Sequence, residues 1–421
     1  MVECTNFVVA VSVAMRRWGA PAWRLEDDAA RLSAALGLRV GIHVLPTSIL
    51  VSEPTGTRVL SVRAGAPALD RTDAAVQLVD AVVAGSLRPY EALAHLSALE
   101  AAPARYPGWA RVAAGGASSS AAAVLLGGGI PEVGVAAGIG LLTGCVPVAL
   151  RGSPERARLA DPAAAFLAGL VVAAWPGPLA GEISLLAGLI AFLPGFSLTT
   201  ALIELATGHL VSGATGLVAS GVALMQLGLG AAVGSRLAQL ALGPANAASA
   251  VPIPELVPLA MGVASLGFAV LLSVPGRWVP AVGLAVGAAL SGEWLGGWAL
   301  GPGLGAGVGA LAVALAASLV TRATGHPLAL VQTPGLLILV PGAIGFRAVQ
   351  DLIRGDLDAG VAGLTGTALA AMALVGGSLV GAALLPARRS DPVRATLSCR
   401  GGEDANGGLA VCAGGVRGET L

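Results

Sequence analysis

The sequence predicts an α-helical polytopic membrane protein, with about ten transmembrane helices arranged as two inverted five-helix repeats and preceded by a small cytoplasmic α+β domain. Three observations lead there. Of 421 residues, 55% are apolar and only 11% charged, with a mean hydropathy of +0.82, far too little charge for an ordinary soluble domain. The charge is also uneven, for residues 1–110 carry ten Arg and ten acidic residues whereas 112–386 carry eight and ten over a much longer span. Finally, the stretch 193–208 recurs 147 positions later as 340–355, without a gap.

In that recurrence Pro194-Gly195 falls on Pro341-Gly342, Glu204 on Asp351 and Gly208 on Gly355. Continued to 235/382, about fifteen of roughly forty-three positions are identical, among them Gly213/Gly360, Gly216/Gly363, Met225/Met372, Gly230/Gly377 and Gly234/Gly381. Chance supplies some identities in an Ala/Gly-rich chain. A Pro-Gly break followed at the same distance by a carboxylate is harder to obtain by chance and marks an internal repeat.

In chain order, residues 6–36 read as two helices broken at Gly19-Ala20-Pro21. The second opens on Glu26-Asp27-Asp28, which suits the positive end of the helix dipole, and ends at Gly37. The run Phe7 to Met15 has no basic residue before it and Arg16-Arg17 after it, so it reads as an amphipathic helix of a cytoplasmic domain rather than a signal sequence. Runs rich in β-branched residues at 39–45, 49–53 and 58–63 predict a small sheet, with Glu53-Pro54-Thr55-Gly56 as a turn. Amphipathic helices over 73–84 and 89–102 complete an α+β domain over residues 1–110, and 103–108 is the hinge.

Beyond Arg111 the intervals between charges are long enough to span, since a helix needs about 20 residues to cross a bilayer. They run 112–131, 133–150, 162–181, 183–203, 205–235, 256–276, 278–300 (containing Glu293), 302–321, 323–346 and 359–387. The 147-residue shift lays the first five over the last five, which makes residues 111–250 and 251–386 the two repeats. Five is odd, so the second repeat enters from the opposite side, an arrangement common in secondary transporters with a site near the midplane. With the amino-terminal domain inside, the short cytoplasmic loops carry Arg111, Arg151, Arg156, Arg158, Arg277, Arg322, Arg388, Arg389 and Arg394, against Arg236, Arg347 and Arg354 outside. Residues 387–421, rich in Gly, Asp and Arg, read as a disordered cytoplasmic tail.

Both Pro-Gly pairs interrupt apolar runs before they have spanned. A broken helix at membrane depth is tolerated only against protein or a watery cavity, so the two breaks are expected to face a shared polar cavity. Each following half-helix aims free N–H groups at its break, a seat for a carboxylate. Ser197, Thr200, Glu204 and Thr207 share one face, where hydroxyls could bond a small polar solute and Glu204 could pair with an ammonium group or exchange a proton. The same face of the second copy carries Ile344, Arg347, Asp351 and Arg354, whose charges can pair with one another. Asp351 and Glu293 join Glu204 as candidate proton-coupling carboxylates. The competing reading is structural: ordinary helix-ending turns, Glu204 and Asp351 facing water at the interface, Arg347, Asp351 and Arg354 as a surface ion-pair ladder, Glu293 anchored beside Trp294, and Glu182 at a solvated helix start.

Other chemistry has little support. The chain has no Lys, zero net charge and no basic cluster with interleaved aromatics, which argues against nucleic acid. Cys4, Cys145, Cys399 and Cys412, like His43, His95, His209 and His326, lack metal-ligand spacing, so neither metal nor cofactor is expected. Ser118-Ser119-Ser120 shows no nucleophile-elbow pattern, and the chain reads as a transporter rather than an enzyme.

Gly19-Ala20-Pro21 leading to Leu36-Gly37, then Leu45-Pro46-Thr47-Ser48-Ile49-Leu50-Val51-Ser52, and later the two Pro-Gly blocks, resemble the threonine/serine exporter family of bacteria. The resemblance covers nearly all of residues 7–386 and both modules of that family, a larger one with the polar domain and five helices and a shorter five-helix one, fused here at about residue 250. It implies antiport of L-threonine and L-serine out across the inner membrane, driven by the proton-motive force. It carries the carboxylate after the first break to Glu204, with Glu where Asp is expected, and that after the second to Asp351. Other relatives are associated with dicarboxylate export, which keeps a succinate-type exporter as the alternative, with Arg347 and Arg354 as anion contacts.

The substrate-binding candidates are therefore Pro194, Gly195, Ser197, Thr200, Glu204, Pro341 and Gly342, and the proton-coupling candidates Glu204, Asp351 and Glu293. Expected partners are a small amino acid, protons and the lipid bilayer, with no nucleic acid and with a homo-oligomer compatible. The expected location is the inner membrane, multi-pass, with both ends cytoplasmic. A membrane-anchored enzyme or a sensor working through residues 1–110 is the reading from another class, and only His43, His95 and scattered carboxylates are on offer there.

Overall fold

The computed structural model describes residues 2–150, 154–244, 246–325, 328–339 and 342–385. The expected carboxy-terminal tail, 387–421, lies outside the described residues. Helices α1 (Val2–Arg17) and α2 (Ala22–Ala35) are separated at Gly19, whose φ of +79° is a backbone conformation that L side chains rarely adopt. Strands β1 (Gly41–Val44), β2 (Ser48–Glu53) and β3 (Gly56–Ser61) form an antiparallel sheet in that order, with Ile42 opposite Val51 and Val51 opposite Arg58. Strand alternation sends Ile42, Val44, Ile49 and Val51 to one buried face. That face packs with α1, α2, α3 (Leu69–Val83) and α4 (Pro89–Ala101) around Phe7, Met15, Leu25, Leu32, Val79 and Leu96. Each such large side chain contributes about 1.5–3 kcal/mol by leaving water.

The remaining helices are α5 (Gly108–Leu125), α6 (Ile130–Ala149), α7 (Pro154–Ala157), α8 (Ala160–Ala173), α9 (Gly181–Gly188), α10 (Gly195–Ala206), α11 (Leu210–Leu242), α12 (Val257–Leu271), α13 (Val279–Leu300), α14 (Pro302–Thr324), α15 (Ala329–Ile338), α16 (Gly342–Arg354) and α17 (Leu357–Leu384). Shifted by 147, α10 and α11 start in register with α16 and α17, and the left-handed glycines between them recur as Gly208 (φ +89°) and Gly355 (φ +87°). The close approaches recur too. A Cβ on Gly213 would meet Ala201 O at 2.7 Å, and one on Gly360 would meet Ala348 O at 3.2 Å, the position 147 residues on.

Among the described residues seven helical segments are long and apolar enough to cross a membrane: Ile130–Ala149, Leu210–Leu242, Pro254–Leu271, Gly276–Leu300, Gly303–Thr324, Ala329–Arg354 (α15 and α16 taken together) and Leu357–Leu384. Ala160–Ala173 and Gly195–Ala206 are shorter apolar helices. The chain is a polytopic membrane protein. Where the helices fall short of the ten expected intervals, local sequence gives the reason. The interval 162–181 is cut by Pro176 and Pro178, so α8 has only 14 residues, about 21 Å at 1.5 Å per residue. The interval 183–203 is divided into α9 and α10 by the Pro194-Gly195 break, and α5 opens on Trp109 and Arg111 and carries three serines.

Small residues let these helices touch backbone to backbone, the main source of attraction where lipid removes the hydrophobic drive. Gly234 of α11 lies against the backbone of Phe166 on α8, and Gly377 of α17 against that of Gly307 on α14. One buried carboxylate ties two helix starts together: Glu132 accepts the N–H of Gly129 and of Ala180, each at 2.8 Å, capping α6 and the entry to α9.

Candidate functional site: two cavities

A cavity of about 790 Å³ lies where the α+β unit meets the membrane helices. Its wall is shared between Arg16, Pro21 and Pro46 of the unit, Arg111 at the start of α5, Thr143 on α6, Asp161 at the start of α8, Pro194, Ser197, Thr200 and Glu204 at and along α10, and Ser212 and Thr215 on α11. The charged lining is Arg16, Arg111, Asp161 and Glu204.

Glu204 is 5% exposed, and its Oε1 accepts the N–H of Ala22 at 2.8 Å. Ala22 is the first residue of α2, so a carboxylate from a membrane helix sits on the positive end of a helix in the α+β unit, supplying the acceptor that Pro21 at the N-cap lacks. The contact has neighbours. His209 Nε2 lies 3.2 Å from Glu26 Oε2, Val44 N–H donates to Glu26 Oε1 at 2.8 Å, and the Ser212 hydroxyl donates to Val44 O at 3.0 Å. A second attachment uses Tyr106, whose hydroxyl donates to Val274 O at 2.7 Å, and Leu69, whose N–H donates to Leu272 O at 3.0 Å.

Arg16 is buried at the end of α1, 8% exposed. Its Nη2 donates to Pro46 O at 3.3 Å, while its Nε has no hydrogen-bond partner. Burial pulls the guanidinium below its ordinary value, and the charge of Glu204 works the other way.

A second cavity, about 750 Å³, is lined by Glu182, Arg236, Arg347, Gln350, Asp351 and Arg354, with α8 and α11 completing the wall. Arg354 Nη1 is 2.7 Å from Glu182 Oε1 and 3.6 Å from Asp351 Oδ1. Gln350 is buried and donates to Gly228 O at 3.1 Å.

The cavities have no lining residue in common and use opposite ends of the same helices. Helix α11 gives Ser212 to the first and Gln239 to the second, about 40 Å apart along a helix rising 1.5 Å per residue. Between them lies an apolar cluster of Leu185, Leu186, Leu189, Leu224, Leu227, Phe346 and Val349, against which Phe192, Leu193 and Ala343 pack. The first break meets the first cavity through Pro194, whereas Val340 and Pro341 of the second break lie outside the described residues.

Residues 6–238, more than half of the chain, match the family described as "Putative threonine/serine exporter", and residues 259–383 match one described as "Threonine/Serine exporter, ThrE". The chain belongs to the threonine/serine exporter family. No curated protein and no solved structure matches it. In this exporter the two matched modules meet in the segment joining α11 to α12.

The expected site residues of the exporter are divided between the cavities. Pro194, Ser197, Thr200 and Glu204 line the first and Asp351 the second. Gly195 and Gly342 are buried at the starts of α10 and α16, and Pro341 lies outside the described residues. Thr207 turns away from the cavity to bond Ile203 O at 2.8 Å. Glu293 lines neither cavity and sits on α13 beside Trp294, which is 72% exposed. Sequence reasoning missed Arg16, Ala22 and the Glu26–His209 pair. They come together only through the placement of a buried arginine and a helix start at one end of the α+β unit, which a linear pattern does not contain. Among the described residues no group of three or more His, Cys, Asp or Glu is placed to hold a metal ion.

Proposed function

We propose that this chain exports small hydroxy amino acids, L-threonine and L-serine, across the inner membrane in exchange for protons, by alternating access between the two cavities. The observation that supports this reading is the pair of cavities, each with charged residues in its lining, at opposite ends of α8 and α11, with an apolar cluster that includes Leu193 and Ala343 between them. A solute can then be exposed to one side at a time if the cluster repacks.

In this reading residues 111–250 and 251–386 are two five-pass repeats lying upside down relative to one another. The ten passes count α9 with α10, and α15 with α16, as one interrupted pass each. Residues 1–110 and 387–421 are cytoplasmic, so the cavity beneath the α+β unit opens inward and the one carrying Arg236, Arg347 and Arg354 opens outward. The substrate's ammonium group meets Glu204 and its hydroxyl meets Ser197 or Thr200. Asp351 takes up the incoming proton on the outer side and Glu204 releases it on the inner. Glu293 lies off this route.

Uptake of labelled threonine, serine and succinate into everted vesicles, with and without an acidic interior, tests the proposal. Threonine and serine accumulation that collapses with the pH gradient is the expected result. A succinate-type substrate is the second reading, favoured by Arg236 and Arg347 in the outer cavity, and accumulation of succinate alone would replace the first with it.

A further inference from the structure

The α+β unit is more than a cover on the inner cavity, because it places a charged side chain in it. Arg16 is more than nine-tenths buried, lines the cavity with Glu204, Ser197 and Thr200, and keeps its Nε without a hydrogen-bond partner. Burying a guanidinium is costly unless its donors are used. One donor goes to Pro46 O. The carboxylate of Glu204 supplies an opposing charge but is itself held by the N–H of Ala22. An orphaned donor on a buried cation beside a half-committed carboxylate is the arrangement that a zwitterion completes, with its anionic end on the arginine and its cationic end on the glutamate.

We infer that Arg16, on the soluble unit, is the receptor for the α-carboxylate of the transported amino acid, and that the transport site is complete only when that unit is docked on the membrane helices. The inference rests on the amino-acid reading given above and deepens it by naming the group that recognises the carboxylate. The start of α10 offers only partial charges to an anion, whereas Arg16 offers a full one with a planar pair of donors. The backbone fixes Arg16 where it is needed. Its carbonyl accepts the N–H of Gly19 at 3.1 Å and of Gly65 at 3.3 Å, so two of the loops of the unit that line the cavity are tied to the residue that carries the charge.

The test uses the full chain in everted proteoliposomes, with labelled threonine as substrate and unlabelled threonine or threoninol as competitor. Threoninol keeps the ammonium group and the hydroxyl and lacks the carboxylate. In the unaltered protein threoninol should compete at least about tenfold more weakly than threonine, the scale of a charge-assisted hydrogen bond. Arg16→Gln should raise the KM for threonine by a similar factor, leave the maximal rate much less affected, and erase the difference between the two competitors. Arg16→Lys, which keeps the charge and loses the planar fork, should restore part of the discrimination. If Arg16 merely holds Pro46, Arg16→Gln will lower the melting temperature and the maximal rate while the threonine-to-threoninol ratio stays as it was, and the inference is then wrong. Should Arg16→Gln fail to fold, an Arg16→Lys protein whose ratio and KM match the unaltered chain overturns it equally. Failure of the substrate reading looks different, because the unaltered protein would then carry succinate and no threonine. In that event the effect of Arg16→Gln on the KM for succinate decides whether Arg16 receives a carboxylate at all.

Discussion

Glu204 accepts the backbone N–H of Ala22 at 2.8 Å although 182 residues separate them in the chain. One carboxylate thus does two things, closing the first turn of α2 and joining the α+β unit to a helix that begins at a Pro-Gly break. Glu204→Gln retains an acceptor for Ala22 and loses the charge, so it should fold normally yet lose threonine uptake driven by a pH gradient. Glu204→Ala removes the acceptor as well and should lower stability by about 1–2 kcal/mol, the worth of a helix cap. Thermal melting and vesicle uptake measured on both variants separate the roles, and undiminished gradient-driven uptake by Glu204→Gln would dismiss Glu204 as the inner proton carrier.

The glycines of α11 are predicted to differ sharply. Gly234 meets the backbone of Phe166, and an added methyl there has nowhere to go, whereas a Cβ on Gly221 would meet nothing within 4 Å. Gly234→Ala should separate α8 from α11 and reduce the yield of folded protein. Gly221→Ala should be neutral or stabilising by up to about 1 kcal/mol, through the helix propensity of alanine. Size-exclusion profiles in detergent provide the comparison, and equal behaviour of the two variants would refute the backbone contact.

On the opposite side of the molecule Arg354 lies between Glu182 and Asp351. These side chains are partly exposed, so Arg354→Ala should cost no more than about 1 kcal/mol of stability. Asp351→Asn should likewise fold, but slow net uptake while sparing exchange of labelled for unlabelled threonine, since exchange needs no proton return. Parallel net-flux and exchange assays show whether the coupling step has been singled out.

Phe346 is 2% exposed in the apolar cluster between the cavities. Truncation to Ala should cost about 3–5 kcal/mol as a cavity opens in packed surroundings. If the cluster is the barrier, the milder Phe346→Leu should fold and let protons leak in the absence of substrate, which a pH-sensitive dye inside proteoliposomes will register. A tight vesicle with that variant would move the barrier elsewhere.

Much of the architecture was legible because it is written in local pattern. The broken pair Gly19-Ala20-Pro21 divides α1 from α2, β-branched runs become β1 to β3, and the Pro-Gly recurrence becomes the matched starts of α10 and α16. Interval length overstates helix length at residues 162–181, where the uncharged run is longer than α8, which ends ahead of Pro176 and Pro178. The site was half legible. Ser197, Thr200 and Glu204 reach a common cavity as their spacing on one helical face implies, yet the partner of Glu204 comes from another unit of the chain. No periodicity encodes such a contact, since docking of two separately packed units fixes it. Of the expected shared cavity only the first half can be followed, where Pro194 joins the wall of the first cavity; Pro341 lies outside the described residues.

The brevity of α8 has a consequence for the surrounding lipid. If α8 is one of the passes, a helix of about 21 Å does not match a hydrocarbon layer of about 30 Å, and lipid that reaches it must thin or dip its headgroups toward it. Turnover by this exporter should therefore respond to acyl-chain length, running faster in shorter-chain phospholipids that meet α8 without deformation.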